Sequence, residues 1–167
     1  MLIGGDSKLK NNIGVVLILL GMILGLTACN SNISTTNLTS IKIDNMQVGE
    51  YISDVDLEKY TTSDRFTDKE NTYNFEEIKI ETDESGIITQ IHANNVDTEL
   101  LINDVEGFKD IEDITTVLDE NYKSSWYDRE QGLKENKYMD LENKIEASFI
   151  YDNTGKNLVW TILSKIN

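Results

Sequence analysis

The chain has 167 residues, with 30 acidic against 15 basic side chains and a formal net charge of −15. A surface this acidic repels nucleic acid and anionic lipid headgroups, and it favours either a basic partner or plain solubility. One cysteine and one histidine exclude the usual zinc sites and leave few routes to nucleophilic catalysis.

The first 28 residues have the three parts of an export signal. Lys8 and Lys10 supply the cationic start, Ile13 to Leu26 is an uncharged stretch, and small residues precede a cut. That stretch is nearer the ~7–15 residues of a signal core than the ~20 of a spanning helix, and Gly14, Gly21 and Gly25 weaken it as a helix. Leu26-Thr27-Ala28-Cys29 resembles the lipobox of bacterial lipoproteins. The resemblance implies that the Cys29 thiol receives a diacylglyceryl group, that residues 1–28 are removed, and that Cys29 becomes the first residue. Stable anchoring takes more than one acyl chain, and the two or three that the resemblance implies satisfy this. The expected location is the outer face of the cytoplasmic membrane, with the membrane as partner through the lipid on Cys29. The remainder holds 13 basic and 29 acidic residues, and with its only thiol lipidated it contains no disulfide.

Residues 29–40 are rich in Ser, Thr and Asn and are read as the lipidated cysteine followed by a flexible tether. Residues 41–167 are then a single domain. Val48, Ile52 and Val55 fall at helical spacing, although Ser53 to Asp56 also suits a turn. A hairpin follows: Asn74 to Glu81, a turn at Asp83-Glu84-Ser85-Gly86, and a return strand from Ile87 to Ala93. Phe75 is out of phase with Ile78 and Ile80, which predicts a bulge at Glu76-Glu77. Ile87, Thr89, Ile91 and Ala93 share one face of the return strand.

Ile111, Ile114, Val117, Leu118 and Tyr122 follow the pattern of an amphipathic helix, with Asp110 as N-cap and Asp113 adding charge to the first turn. Extended segments are expected around Trp126, over Lys137 to Leu141, and from Ile145 to Tyr151, where apolar residues alternate cleanly. The turn Asp152-Asn153-Thr154-Gly155 leads to Leu158, Trp160 and Ile162 on one face, with Val159 and Leu163 on the other. Apolar residues on both faces predict that this last strand is central or covered at one end.

The expected fold class is therefore α+β: an antiparallel sheet packed on one face by helices. The order of elements over residues 43–166 resembles the tandem helix-β-β units of the β-lactamase-inhibitor-protein-like fold, which also occurs in small envelope lipoproteins. A single continuous meander with helices is the other arrangement. No functional residue is carried over by the resemblance.

A Gly-x-Ser-x-Gly, P-loop or dinucleotide fingerprint is missing from the sequence. His92 lies in a predicted strand next to Ile91, where a structural or surface histidine is the expected reading. Carboxylates cluster at Asp54/Asp56 and Asp110/Glu112/Asp113, but a hairpin turn accounts for the calcium-like look of Asp152 to Gly155. No cofactor, metal or enzymatic activity is expected. The candidate binding residues are Trp126, Tyr127, Asp128 and Arg129, because Trp, Tyr and Arg are enriched where binding energy concentrates. The competing reading has Trp126 and Tyr127 pinning a sheet edge while Asp128 and Arg129 pair. Tyr122 and Tyr138 are expected to extend any aromatic patch, and Trp160 is assigned to the core. The function so read is a membrane-anchored, non-enzymatic domain that binds or sequesters a basic protein or peptide. The alternatives are an accessory subunit of an envelope assembly and a carboxylate-dependent hydrolase.

Overall fold

The computed structural model describes residues 35–63 and 70–166, all within the unit Ile33–Asn167. Cys29 and the expected signal segment lie outside the described residues. The described chain is mostly β. In order it runs β1 (Ile41–Ile43), a single 3-10 turn (Ile52–Asp54), β2 (Thr72–Asn74), β3 (Ile78–Thr82), β4 (Ile88–Asn94) and β5 (Leu100–Ile102). Then come α1 (Ile111–Leu118), β6 (Lys123–Asp128), β7 (Leu133–Asp140), β8 (Ile145–Asp152) and β9 (Leu158–Lys165). Seven strands form one antiparallel sheet in the order β2-β3-β4-β9-β8-β7-β6, and β1 pairs with β5 in a separate ribbon.

This corrects the α+β expectation. The layer over the large sheet is the β1–β5 ribbon with one eight-residue helix, giving a β-sandwich of unequal sheets. Ile41, Ile43, Leu100 and Ile102 from the ribbon and Ile114 and Leu118 from α1 share one core with Ile80, Ile91, Phe149 and Leu163 of the sheet. The predicted helix at Val48 to Val55 forms only one 3-10 turn. Gly49 sits at φ 99° just ahead of it, and Tyr51 offers the turn no side-chain cap. A segment this short does not recover the cost of starting a helix.

Several register details also differ from the expected alternation. Asn74 to Glu81 is two strands and not one bulged strand: the chain reverses at Phe75 to Glu77, pairing Tyr73 with Ile80. The bulges lie elsewhere, at Glu81/Thr82, Trp126/Asp128 and Ile150/Tyr151. The first turns Ile88, not Ile87, into the core, and Ile88 is fully buried. The third sits opposite Leu158, so Leu158, Thr161 and Leu163 point inward while Trp160 and Ile162 face out. β9 is indeed central, between β4 and β8.

The stretch expected as tether is docked where it is described. Thr36 N–H donates to Met139 O and Leu38 N–H to Asp140 Oδ2, both at 3.0 Å, and Leu38 is buried.

What recurs in the two halves is strands and turns, not helix-β-β units. β1 and β5 each run into a turn of two residues at positive φ, Asp44-Asn45 and Asn103-Asp104. Asp83 and Asp152 each cap a turn that ends in a glycine at positive φ, Gly86 and Gly155. The carbonyls of those glycines accept the N–H of Ile52 and of Ile111, at 2.9 and 3.2 Å. Pairing register obeys the same relation. In the ribbon Ile41 faces Ile102 and Ile43 faces Leu100, and in the sheet Ile91 faces Leu163 and Ala93 faces Thr161. The ladders join matching strands, β1 with β5 and β4 with β9, and the order β2-β3-β4-β9-β8-β7 reads alike from either side of the β4–β9 pair, as a local two-fold requires.

Candidate binding surfaces

β6 is an edge strand of the large sheet, so its outer row of N–H and C=O groups faces no strand of the sheet. Trp126 is 46% exposed and Tyr127 42%. Lys134, directly across from Trp126, places Nζ 5.5 Å from the indole ring, and Tyr127 meets Trp160 edge-on at 5.7 Å. The bulge at Trp126/Asp128 puts Tyr127 on the outer face of the sheet with Trp160. Asp128 does not pair with Arg129. Its carboxylate accepts from Glu130 N–H, Gln131 N–H and Gln131 Nε2 at 2.8 to 3.0 Å and so shapes the turn into β7.

The aromatic patch differs in membership from the expectation. Tyr138 is fully buried between Tyr122 and Phe149 and donates its hydroxyl to Asp119 O at 3.0 Å, so it belongs to the core. Burial first, and then its acidic and phenolic neighbours, hold that hydroxyl well above the usual tyrosine range. Trp160 is the residue that continues the strip from Tyr127, reaching His92 edge-on at 5.9 Å. Sequence alternation pointed elsewhere because the extra residue of β9 at Val159, opposite Ile150/Tyr151, reverses the phase of the strand. Ile150 lies beneath this strip, fully buried yet outside the main core. Burial, and then the Lys79 ammonium directly opposite, push the His92 imidazole below its ordinary pKa.

Two grooves open beside the strip and at the far end of the first half. One, of about 450 Å³, is bounded by Phe75, His92, Trp160, Glu77 and Lys79. Its lining mixes Glu76 and Glu77 with Lys79; Lys79 pairs with Glu81, and the Glu77 carboxylate accepts Thr61 N–H at 3.1 Å. The other, of about 460 Å³, has half-buried Ile52, Val55, Leu57 and Tyr73 as its floor and Asp56 and Glu58 at its rim.

The carboxylate clusters behave differently from one another. Asp110 caps α1 by accepting Asp113 N–H at 3.1 Å, and Lys156 bridges it to Glu112 at 3.2 and 3.5 Å. In the ribbon Lys42 faces Asp104 and Lys59 faces Asp44, at 3.7 and 3.9 Å. Asp152 accepts from Thr154, Lys156 and Asn157 within its hairpin, and the Thr154 and Asn157 side chains hold its carboxyl down at about 2. Among the described residues, Asp54, Asp56 and Glu58 form no ion pair. No group of three or more His, Cys, Asp or Glu among the described residues is placed to hold a metal ion, and no helix among them is long and apolar enough to cross a membrane.

No known protein family, curated protein or solved structure matches the chain.

Proposed function

We propose that this chain is a lipid-anchored binding protein of the bacterial envelope. Residues 1–28 act as its signal peptide, and acylated Cys29 holds the domain at the outer face of the cytoplasmic membrane. There the domain captures or sequesters a basic protein or peptide without chemistry of its own, as an immunity or inhibitor lipoprotein does. The observation that carries this reading is the β6 edge, where Trp126 and Tyr127 stand exposed on a strand whose outer side faces no other strand of the sheet. Exposed aromatics of this kind supply large, stiff contact area, and an open edge offers backbone hydrogen bonds to an extended partner segment. The net charge of the chain steers a basic partner toward it. The same open edge favours a second reading, in which β6 docks the chain as an accessory subunit into a larger envelope assembly.

One experiment with three full-length chains tests the proposal. Wild type, Cys29→Ser and Trp126→Ala are expressed in a bacterial host, fractionated, and assayed for retention of an Arg-rich peptide at low and high salt. Wild type is expected to carry an acyl label, stay with the membrane and retain the peptide less as salt rises. Cys29→Ser keeps its precursor mass and takes no label, and Trp126→Ala binds about tenfold more weakly. An unchanged Cys29→Ser chain rejects the anchor. Peptide retention that is absent or indifferent to salt rejects the basic partner.

A further inference from the structure

We infer that the groove of the first half is the seat for a cationic amphipathic helix of the partner. The internal two-fold supplies the first argument. Ile52 and Ile111 occupy matching positions, each bonding a turn glycine, and each half closes farther along with a matching aromatic pair. Those pairs are Tyr60 with Phe75 at 5.3 Å and Tyr122 with Tyr138 at 5.4 Å. Between these fixed points the second half has three more residues than the first. It uses them to wind α1, which drives Ile114 and Leu118 into the core. The shorter first half winds only Ile52–Asp54, and the groove of about 460 Å³ lies along the chain that follows. Val55 and Leu57 line it half-buried, leaving apolar surface where the other half has a packed helix.

Charge identifies the occupant. Asp104, Asp44 and the Asp110/Glu112 cluster have Lys42, Lys59 and Lys156 as partners, and the β6 edge mixes Lys123, Arg129 and Lys134 with Asp128 and Glu130. The rim of this groove has Asp56 and Glu58, both exposed and in no ion pair among the described residues. An apolar floor under an acidic rim fits a helix with one apolar face and flanking Lys or Arg, docking as helices do into grooves. The β6 edge, by contrast, is close to charge-balanced, so the basic part of a partner is received here. This inference rests on the reading of the chain as a binding domain for a basic partner, and it adds where and in what conformation that partner binds.

The test uses the full chain in phosphatidylcholine nanodiscs, with empty discs as the blank. The probe is an amphipathic Leu/Lys peptide of about 14 residues, long enough to hold a helix once docked. A Leu/Glu peptide of the same pattern is the control. Calorimetry is expected to show that Asp56→Lys with Glu58→Lys weakens the Leu/Lys peptide about tenfold and flattens its salt dependence. Leu57→Ser also weakens it, while Val96→Ser, at an exposed position outside the groove, leaves it unchanged. Circular dichroism checks that each variant keeps its fold. Unchanged affinity in the charge-reversed chain, equal binding of the Leu/Glu peptide, or no binding of the Leu/Lys peptide overturns the inference. If the Arg-rich peptide is still retained by wild type and lost in Trp126→Ala, only the groove falls and the binding-domain reading stands.

Discussion

Asp140 shows how one buried carboxylate ties the start of the domain to its sheet. Its residue is 1% exposed, and its oxygens accept Leu38 N–H at 3.0 Å and Asn143 N–H and Nδ2 at 2.9 Å. Burial pushes this carboxyl up, but the hydrogen bonds from Leu38 and Asn143 outweigh it and hold the group below the usual aspartate range. Asp140→Ala leaves those donors without their acceptor, which costs about 1–3 kcal/mol when the donor is buried. Asp140→Asn keeps one carbonyl oxygen and loses less. The pH dependence follows from the depressed pKa. The stabilisation is present above the unfolded value of about 3.9 and fades as pH falls through the lower folded one. Urea midpoints at neutral and acid pH are expected to show the wild-type advantage over Asp140→Asn shrinking in acid. An advantage that grows in acid would contradict this role.

Among the elements, the two aspartate-glycine turns do the same work under different crowding. Gly86 and Gly155 sit at φ 79° and 76°, where a side chain costs roughly 1–2 kcal/mol. A Cβ on Gly155 meets Ile111 Cγ2 at 3.3 Å, while one on Gly86 meets Ile52 Cγ2 at a comfortable 3.6 Å. Gly155→Ala is therefore expected to destabilise more than Gly86→Ala, since Ile111 opens α1 and has little room to yield. Thermal melts of the two variants decide it, and equal or reversed losses refute the crowding argument. These turns were legible in the sequence because a short Asp side chain bonding the backbone two residues on is local chemistry. The Asp110 cap and the alternation from Ile145 to Tyr151 were legible for the same reason. The bulges were not, since each depends on what the partner strand presents, and so Ile88 and Trp160 were read onto the wrong faces. Among candidate site residues, Trp126 and Tyr127 stood out by type, whereas the groove at Val55 and Leu57 arises from a helix that one half lacks. That the first half lacks the long helix of the second shows in the sequence, but the groove it leaves exists only in the packed chain.

Across the whole molecule, the covering layer decides whether the halves are separable. The β4–β9 ladder joins them in the sheet and the β1–β5 ladder joins them in the ribbon, and neither half owns both strands of either. Ile91 packs in one core with Leu163, and Ile43 with Leu100, so losing one half strips apolar cover from the other. Burial shared in this way makes unfolding all-or-none. Native-state hydrogen exchange tests this directly through amides bonded inside the sheet on both sides of the local two-fold. The slowest amides of β3 and β4 are expected to open with the same free energy as those of β8 and β9, the global value for the domain. Two distinct plateaus, one for each half, would mean that each half holds its own core. The groove would then belong to a subdomain able to rearrange alone, and a helix bound there would protect only β2 to β4. With a shared core, the same helix slows exchange in β8 and β9 as much as in β3 and β4.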